Sequence, residues 1–338
     1  VSDNPFDLAF KGFTAPEAEP EVSPRHVEAE EFERFKGLIT AAGAYEDIPN
    51  GAYHGVELCP EHSIHGSGLF KIEEESCAAY WETSLHNPGR QPQPQKSHFS
   101  VGHLLHDILL YKGMVPDDYH IVPDGFVRAH RHKWTDEIEG YDEAIAAGRD
   151  VLTKSEFNLA CDMAEACDKN SLASALIMAG KPEVSIAAQD PKTGRWMLTR
   201  PDILPDTMEI IPDVKGVVSA APPAYETAAT RWGYFQWAAN CLDILDLVFG
   251  EAKRQFVHIA IEKKRPHLVE IYTLDEGHIH EARLLNRRAL DLFDRSLTTG
   301  EWLGYSTPEN PILPLPMAPW KIKQIQRRVA SGELSYDL

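Results

Sequence analysis

The chain has no apolar run long enough to cross a bilayer, and its first residues lack the basic-then-apolar plan of a secretory leader. It is therefore expected to be soluble and cytoplasmic. Cysteine is scarce: five in 338 residues, an odd number, scattered and without a C-x-x-C pair. That argues against a disulfide framework, a zinc ribbon or a clustered iron–sulfur site, and leaves buried thiols of a reducing compartment. Basic residues are also in the minority, 33 Lys and Arg against 52 Asp and Glu, for a formal net charge of −19. Such a chain does not coat nucleic acid over its whole surface, although a local basic groove or a bound divalent cation can reverse the field where it matters. No internal repeat is visible. No methionine stands before Val1, as in a processed or excised fragment.

What is present reads as globular. Hydrophobic residues make up 43% and charged residues 25%, enough for one large domain or a domain with an appendage. Residues 1–25, with APEAEPEVSP, are rich in proline and acid and predict a mobile arm. HVEAEEFERFKGLITAAG has helical spacing and a terminal glycine, so residues 1–50 are expected to be an acidic, partly flexible arm with a short helix. PNGAYHG reads as turns. One or two short helices are expected in SIHGSGLFKIEEESCAAYWETSL, another in SHFSVGHLLHDILLYKG, and another over 154–179 with a break near Lys169.

The character then changes to strand. RWMLTRPDI and MEIIPDVKGVV predict a hairpin about Pro205-Asp206-Thr207, and FVHIAIEKK with HLVEIYTLD a second pair. TAATRWGYFQWAANCLDILDLVFG predicts one long amphipathic helix, and residues 276–296 a closing one. The pattern predicts an α/β domain over 51–325, a mixed central β-sheet flanked by helices, with a tail over 326–338.

One apolar run, MEIIPDVKGV, carries opposite charges two residues apart. In a strand Asp213 and Lys215 share a face and Val214 takes the other. Acid-x-Lys triplets occur elsewhere, as at Asp190, Glu251 and Glu262, but in a turn, after a helix and at a strand end. Only Asp213 and Lys215 fall in mid-strand, beside Pro212, which implies an edge or a bulge. The pair reads either as a buried salt bridge or as part of a site. Asp202, across the predicted turn, can reach the same sheet end. Two converging carboxylates repel unless a cation lies between them, and hard oxygen donors favour Mg²⁺ or Mn²⁺. A neighbouring lysine can orient a water for attack on phosphorus, which suits phosphodiester hydrolysis.

With these residues the sequence resembles the PD-(D/E)xK nuclease superfamily: RPDILPDTMEIIPDVK matches its acid, turn and D-x-K signature. More narrowly it resembles the exodeoxyribonuclease VIII (RecE-type) family through IHGSGLFKIEEESCAAYW, VGHLLH, AGKPEVSI with DPKTGRWMLTRPD, and PILPLPMAPW, over residues 50–320. The resemblance implies a PD-(D/E)xK core in which Asp202, Asp213, His106 and the Val214 carbonyl bind metal. Lys215 is then the catalytic lysine, Glu183 holds a second ion or orients water, and Gln236 contacts the site or the DNA backbone. Where that family commonly has tyrosine four residues after the glutamine, this chain has Asn240. The activity implied is Mg²⁺-dependent digestion of linear duplex DNA from 5′ ends. The product would be a 3′ strand for an annealing protein, and the enzyme a homo-oligomeric ring.

Simpler roles stand beside these. His106 in GHLLHDILL can be a core histidine, or, with Asp107, half of a helical His-Asp phosphohydrolase motif. Glu183 can flank a strand, and Arg200 can pair with an acid. Arg128, Arg131 and Lys133, interleaved with His130, His132 and Trp134, can grip DNA phosphates or form a solvated loop.

Overall fold

The computed structural model describes residues 29–90, 97–111, 119–125, 138, 140–147 and 149–335. The arm over 1–25 and the basic cluster Arg128, Arg131 and Lys133 lie outside them. Among the described residues no helix is long and apolar enough to cross a membrane.

The helices are α1 (Asn50–Gly55), α2 (Gly66–Glu74), α3 (Cys77–Thr83), α4 (Ser97–Leu110), α5 (Tyr141–Ala146) and α6 (Lys154–Lys169). They continue as α7 (Ser171–Ile177), α8 (Pro222–Arg231), α9 (Tyr234–Phe249), α10 (Glu276–Thr299) and α11 (Pro319–Ala330). The strands are β1 (Gly43–Tyr45), β2 (Ser63–His65), β3 (Tyr119–Val122), β4 (Asp150–Thr153), β5 (Gly180–Pro182) and β6 (Ser185–Gln189). Then come β7 (Trp196–Thr199), β8 (Ile203–Pro205), β9 (Ile210–Val217), β10 (Gln255–Glu262) and β11 (Val269–Thr273).

The architecture is mixed α/β as the sequence predicts, but the strands form two mixed sheets with short flanking pairs. One sheet has the order β1-β6-β7-β2, the other β11-β10-β9. β9 and β10 run parallel, joined by a crossover through α8 and α9, while β10 and β11 form the expected antiparallel pair. Helices cover both faces of this second sheet. On one, Leu104, Leu105 and Met163 of α4 and α6 pack on Val214, Val257 and Ile259. On the other lie Tyr225 and Tyr234 of α8 and α9. A second core, centred on Phe256, Phe293 and Leu245, joins α2, α9 and α10 to β6 and β7.

Local chemistry sets the element ends. Thr153 and Glu156 make a reciprocal capping box at the start of α6, and Asn170 caps α7 by accepting from Ala173, which produces the expected break. Asp275 caps α10 and Gly300 ends it at φ 73°.

Four expectations are corrected. Among the described residues of 26–43 the helix is a 3₁₀ stretch, Ala29–Phe35. Beyond it Gly37 and Ile39 donate to Glu57 and Leu58 carbonyls, which draws the chain out of the helix. PNGAYHG is not turns but α1, held by buried Ala52 and Tyr53. The long helix is split at Gly233, whose φ of 69° turns the chain between α8 and α9. The hairpin does not form a ladder: β7 pairs with β6 and β8 with β5, so β9 is left to pair with β10. Phe35, Ile39 and Ile48 pack in a third core with Trp196 and Leu198 of β7, and α11 spans residue 325.

Candidate active site

β9 has two unlike faces. Val214 enters the α4/α6 core, and Gly216 lets it close: a methyl there would meet Leu105 Cδ2 at 3.3 Å and Met163 Cε at 3.4 Å. Asp213 and Lys215 take the opposite face. Parallel pairing puts His258 of β10 beside Asp213, with Nε2 3.9 Å from Oδ2. Lys215 Nζ meets Asp213 Oδ2 in an ion pair, and it also lies 5.3 Å from the Tyr234 ring and 5.1 Å from the Trp237 ring. Tyr234 and Trp237, three apart on α9, therefore wall the lysine as cation–π partners.

Asp202 arrives from the segment before β8. Its Oδ2 accepts the Val214 amide hydrogen at 2.6 Å, and its Oδ1 lies 3.5 Å from His106 Nδ1 of α4. Thus a side chain, not a strand, satisfies the outer edge of β9 at Val214. A strand residue's N–H and C=O point to the same side, so the Val214 carbonyl shares that edge with Asp202.

The two acids are electrically unlike. Burial pushes the Asp213 carboxyl well above the carboxylate range; Lys215 opposes this and the Asp202 charge adds to it. Burial works the same way on Asp202, but His106, Lys215 and the Val214 amide outweigh it and hold Asp202 below that range. Burial disfavours a charged His106, yet Asp202 more than offsets this and raises its pKa to about 9. Burial, then the Lys215 charge, lowers His258 to about 3, so that ring is neutral.

This face holds an excess of unmet polar capacity. Asp213 is wholly buried, yet neither of its oxygens accepts a well-formed hydrogen bond. Both ring nitrogens of His258 and the Tyr225 hydroxyl are likewise buried without a partner. Such groups in a native core call for a ligand or ordered water. Two carboxylates, a backbone carbonyl and an imidazole fit a hard divalent cation.

The structure therefore brings together Asp202, Asp213, Val214, Lys215 and His106. Glu183 is close by: its amide donates to the Asp202 carbonyl at 3.0 Å, and its carboxylate accepts from the Tyr111 hydroxyl at 2.8 Å. It does so at φ 47°, a left-handed conformation that costs a non-glycine residue about 1–3 kcal/mol.

Gln236 is not at this centre. It is buried and donates to Asn286 Oδ1 at 3.2 Å, while Asn286 donates back to its carbonyl, so it joins α9 to α10. Its position on α9 explains this, because Tyr234 and Trp237 occupy the stripe that faces Lys215. Among the described residues Arg200 pairs with no acid but donates to Ser185 Oγ and the Ile48 carbonyl, and Asp107 accepts from Tyr119. Tyr225, Tyr234, Trp237 and His258 escaped the sequence reading. The available signal was His258, a polar residue in the middle of apolar FVHIAIE.

A solved structure of a candidate exonuclease from Eubacterium rectale is similar in fold, with a TM-score of 0.50 at 14% identity over 77% of this chain and 92% of that one. A second, SSO0001, aligns over 58% of this chain and 88% of that one at 15% identity, but its TM-score of 0.23 carries no argument. No curated protein matches the sequence. Nucleases of the PD-(D/E)xK kind generally use divalent metals, in keeping with the donors assembled here. The family pattern of the PDDEXK-like domain of unknown function, DUF3799, matches residues 67–307, and the chain belongs to that family.

Proposed function

We propose that the chain is a Mg²⁺-dependent exodeoxyribonuclease, with Mn²⁺ as a substitute. It digests linear double-stranded DNA from 5′ to 3′ and leaves 3′ single strands for an annealing protein in recombination. The observation that carries the hydrolytic reading is Asp213: a wholly buried carboxylate whose only described cationic partner is Lys215, at Oδ2, and which lies one residue from the amide that holds Asp202. The order of RecE-type motifs supports the end-dependent, strand-resecting reading.

In this reading Asp202, Asp213, His106 and the Val214 carbonyl hold the cation. When bound, it supplies charge neutralisation at the phosphate and lowers the pKa of a coordinated water. The chain's own residues do the positioning. The Val214 amide and His106 fix both oxygens of Asp202. Tyr234 and Trp237 confine the Lys215 ammonium against Asp213, so the N–H donors that Asp213 leaves free are presented from one place to an attacking water. Glu183, steadied by Tyr111, stands on the Asp202 side to orient that water. A ring of several copies would reconcile an acidic exterior with a basic channel, in which Arg128, Arg131 and Lys133 meet the DNA backbone.

The test is digestion of linear and covalently closed duplex DNA, labelled at either end, by wild type and Asp213→Ala with Mg²⁺. Loss of the 5′ label from linear DNA alone, abolished by the substitution, is expected. Cutting of the closed circle would replace the exonuclease by a structure-selective endonuclease of the same fold. DNA-end binding that survives Asp213→Ala, with no turnover in either protein, would leave a non-catalytic loader. A monomeric mass by light scattering would overturn the ring.

A further inference from the structure

A second set of donors stands apart from the acids of β9. Glu57 and His62 border the loop leading into β2, and His86 follows α3. One ligand atom from each lies within 4.8 Å of the other two. Their hydrogen bonds run to Ser63 and Cys59, not to Asp202 or Asp213.

His86 is constrained at both nitrogens. Nε2 lies 3.0 Å from the Ser63 carbonyl oxygen, which only accepts, so Nε2 carries the hydrogen. Nδ1 lies 3.2 Å from Glu57 Oε2. In a neutral ring that nitrogen is a lone pair facing carboxylate lone pairs, and the contact needs either another proton or a cation. A proton would give a simple ion pair, with the charged His86 ring 4.0 Å from the His62 ring. A shared cation uses the lone pairs of both rings instead.

Ser63 braces two of the donors at once. Its Oγ donates to Glu57 Oε1 at 2.5 Å, its amide donates to Oε2 at 3.3 Å, and its carbonyl takes the Nε2 hydrogen of His86. That is the outer shell expected of metal ligands: the far nitrogen of the histidine bound to a backbone carbonyl, and the carboxylate itself hydrogen-bonded. His86 is 4% exposed and Glu57 17%, whereas His62 is exposed and leaves an entry path.

We propose that Glu57, His62 and His86 form a second metal site, for Zn²⁺ or a divalent ion of similar softness, with water completing a tetrahedron. Two imidazole nitrogens and one carboxylate oxygen suit that class, whereas the oxygen-rich acid centre suits Mg²⁺. The ion pins the loop before β2 to the segment after α3, next to Phe293 of α10, whose ring is 6.3 Å from His86. The inference does not depend on the nuclease reading.

The test uses the tag-free 338-residue chain, stripped with chelator, carrying Asp213→Asn to disable the acid centre. It is dialysed against ZnCl₂ in excess Mg²⁺, and metal content is read by mass spectrometry, with Co²⁺ substitution as a spectral check. One Zn²⁺ per chain is expected, with a tetrahedral Co²⁺ spectrum. His62→Ala, at an exposed position, should abolish this with an unchanged circular dichroism spectrum. Ser63→Ala should weaken affinity by roughly 10–100-fold. Zinc retained by wild type but not by Asp213→Asn would assign it to the acid centre and overturn the proposal. So would zinc retained equally by His62→Ala and Glu57→Gln, or no zinc at all.

Discussion

The acid centre and the Glu57–His62–His86 cluster are built in opposite ways. In the first, Asp213, Val214 and Lys215 are consecutive in one strand, and the pleat alone fixes which face each takes. In the second, the donors come from loops around β2 and α3, and their meeting depends on how those loops pack. The acid centre is sunk between helices and leaves polar atoms unmet, whereas the cluster is braced by Ser63 and opens at His62. Function that needs charge inside a core is placed on the stiffest element. A device that only ties loops together can be assembled from the loops themselves.

The largest effect should come from the acid side. Asp213→Asn is expected to lower the cleavage rate by at least about 10²–10³-fold, as does loss of a preorganised electrostatic group. DNA affinity and zinc content should be preserved, and a parallel loss of zinc would break the separation of the two centres. Next, Gln236→Leu leaves the buried Asn286 Oδ1 without its donor, while Asn286 Nδ2 keeps the backbone carbonyl of residue 236, and should cost about 1–3 kcal/mol in urea unfolding. The Mg²⁺ concentration for half-maximal cleavage should stay unchanged; a selective shift in it would return Gln236 to the site. Trp237→Leu removes one ring beside Lys215 and should raise the barrier to cleavage by about 0.5–2 kcal/mol, seen in kcat and not in zinc content.

The smallest effect belongs to an acid outside both centres. Burial would raise the Asp190 carboxyl, but hydrogen bonds from Arg287 and Thr193 outweigh it and hold it below the ordinary carboxylate value. Its contribution to stability is therefore complete above pH 3.8 and is lost as pH falls through the lowered folded value. Arg287→Ala should flatten that part of the acid-unfolding curve and leave cleavage near neutral pH intact.

Residues bonded to neighbours in sequence were legible. The break near Lys169 and the alternation in β9 both follow from local geometry. The acid-x-lysine pair stood out because opposite charges in an apolar strand demand a reason. Strand partners were not legible: β8 and β9 are close in sequence and joined by a turn, yet each gains its ladder from a distant strand. The helix break at Gly233 was missed because an amphipathic stripe continues across it. Gln236 was misplaced because a helix presents several faces, and only packing says which one meets α10.

By itself, the sequence determined the class of the fold, the positions of most helices and the presence of Asp213 and Lys215 on one face. Each of these depends on periodicities of a few residues, which short-range sterics and hydrogen bonding enforce. Tertiary structure alone decided that His106 and Val214 hold Asp202, that Tyr234 and Trp237 wall Lys215, and that His258 lies beside Asp213. It also decided that Glu57, His62 and His86 meet. Those contacts join residues far apart in the chain, and their geometry is set by side-chain packing between elements, which no local spacing encodes.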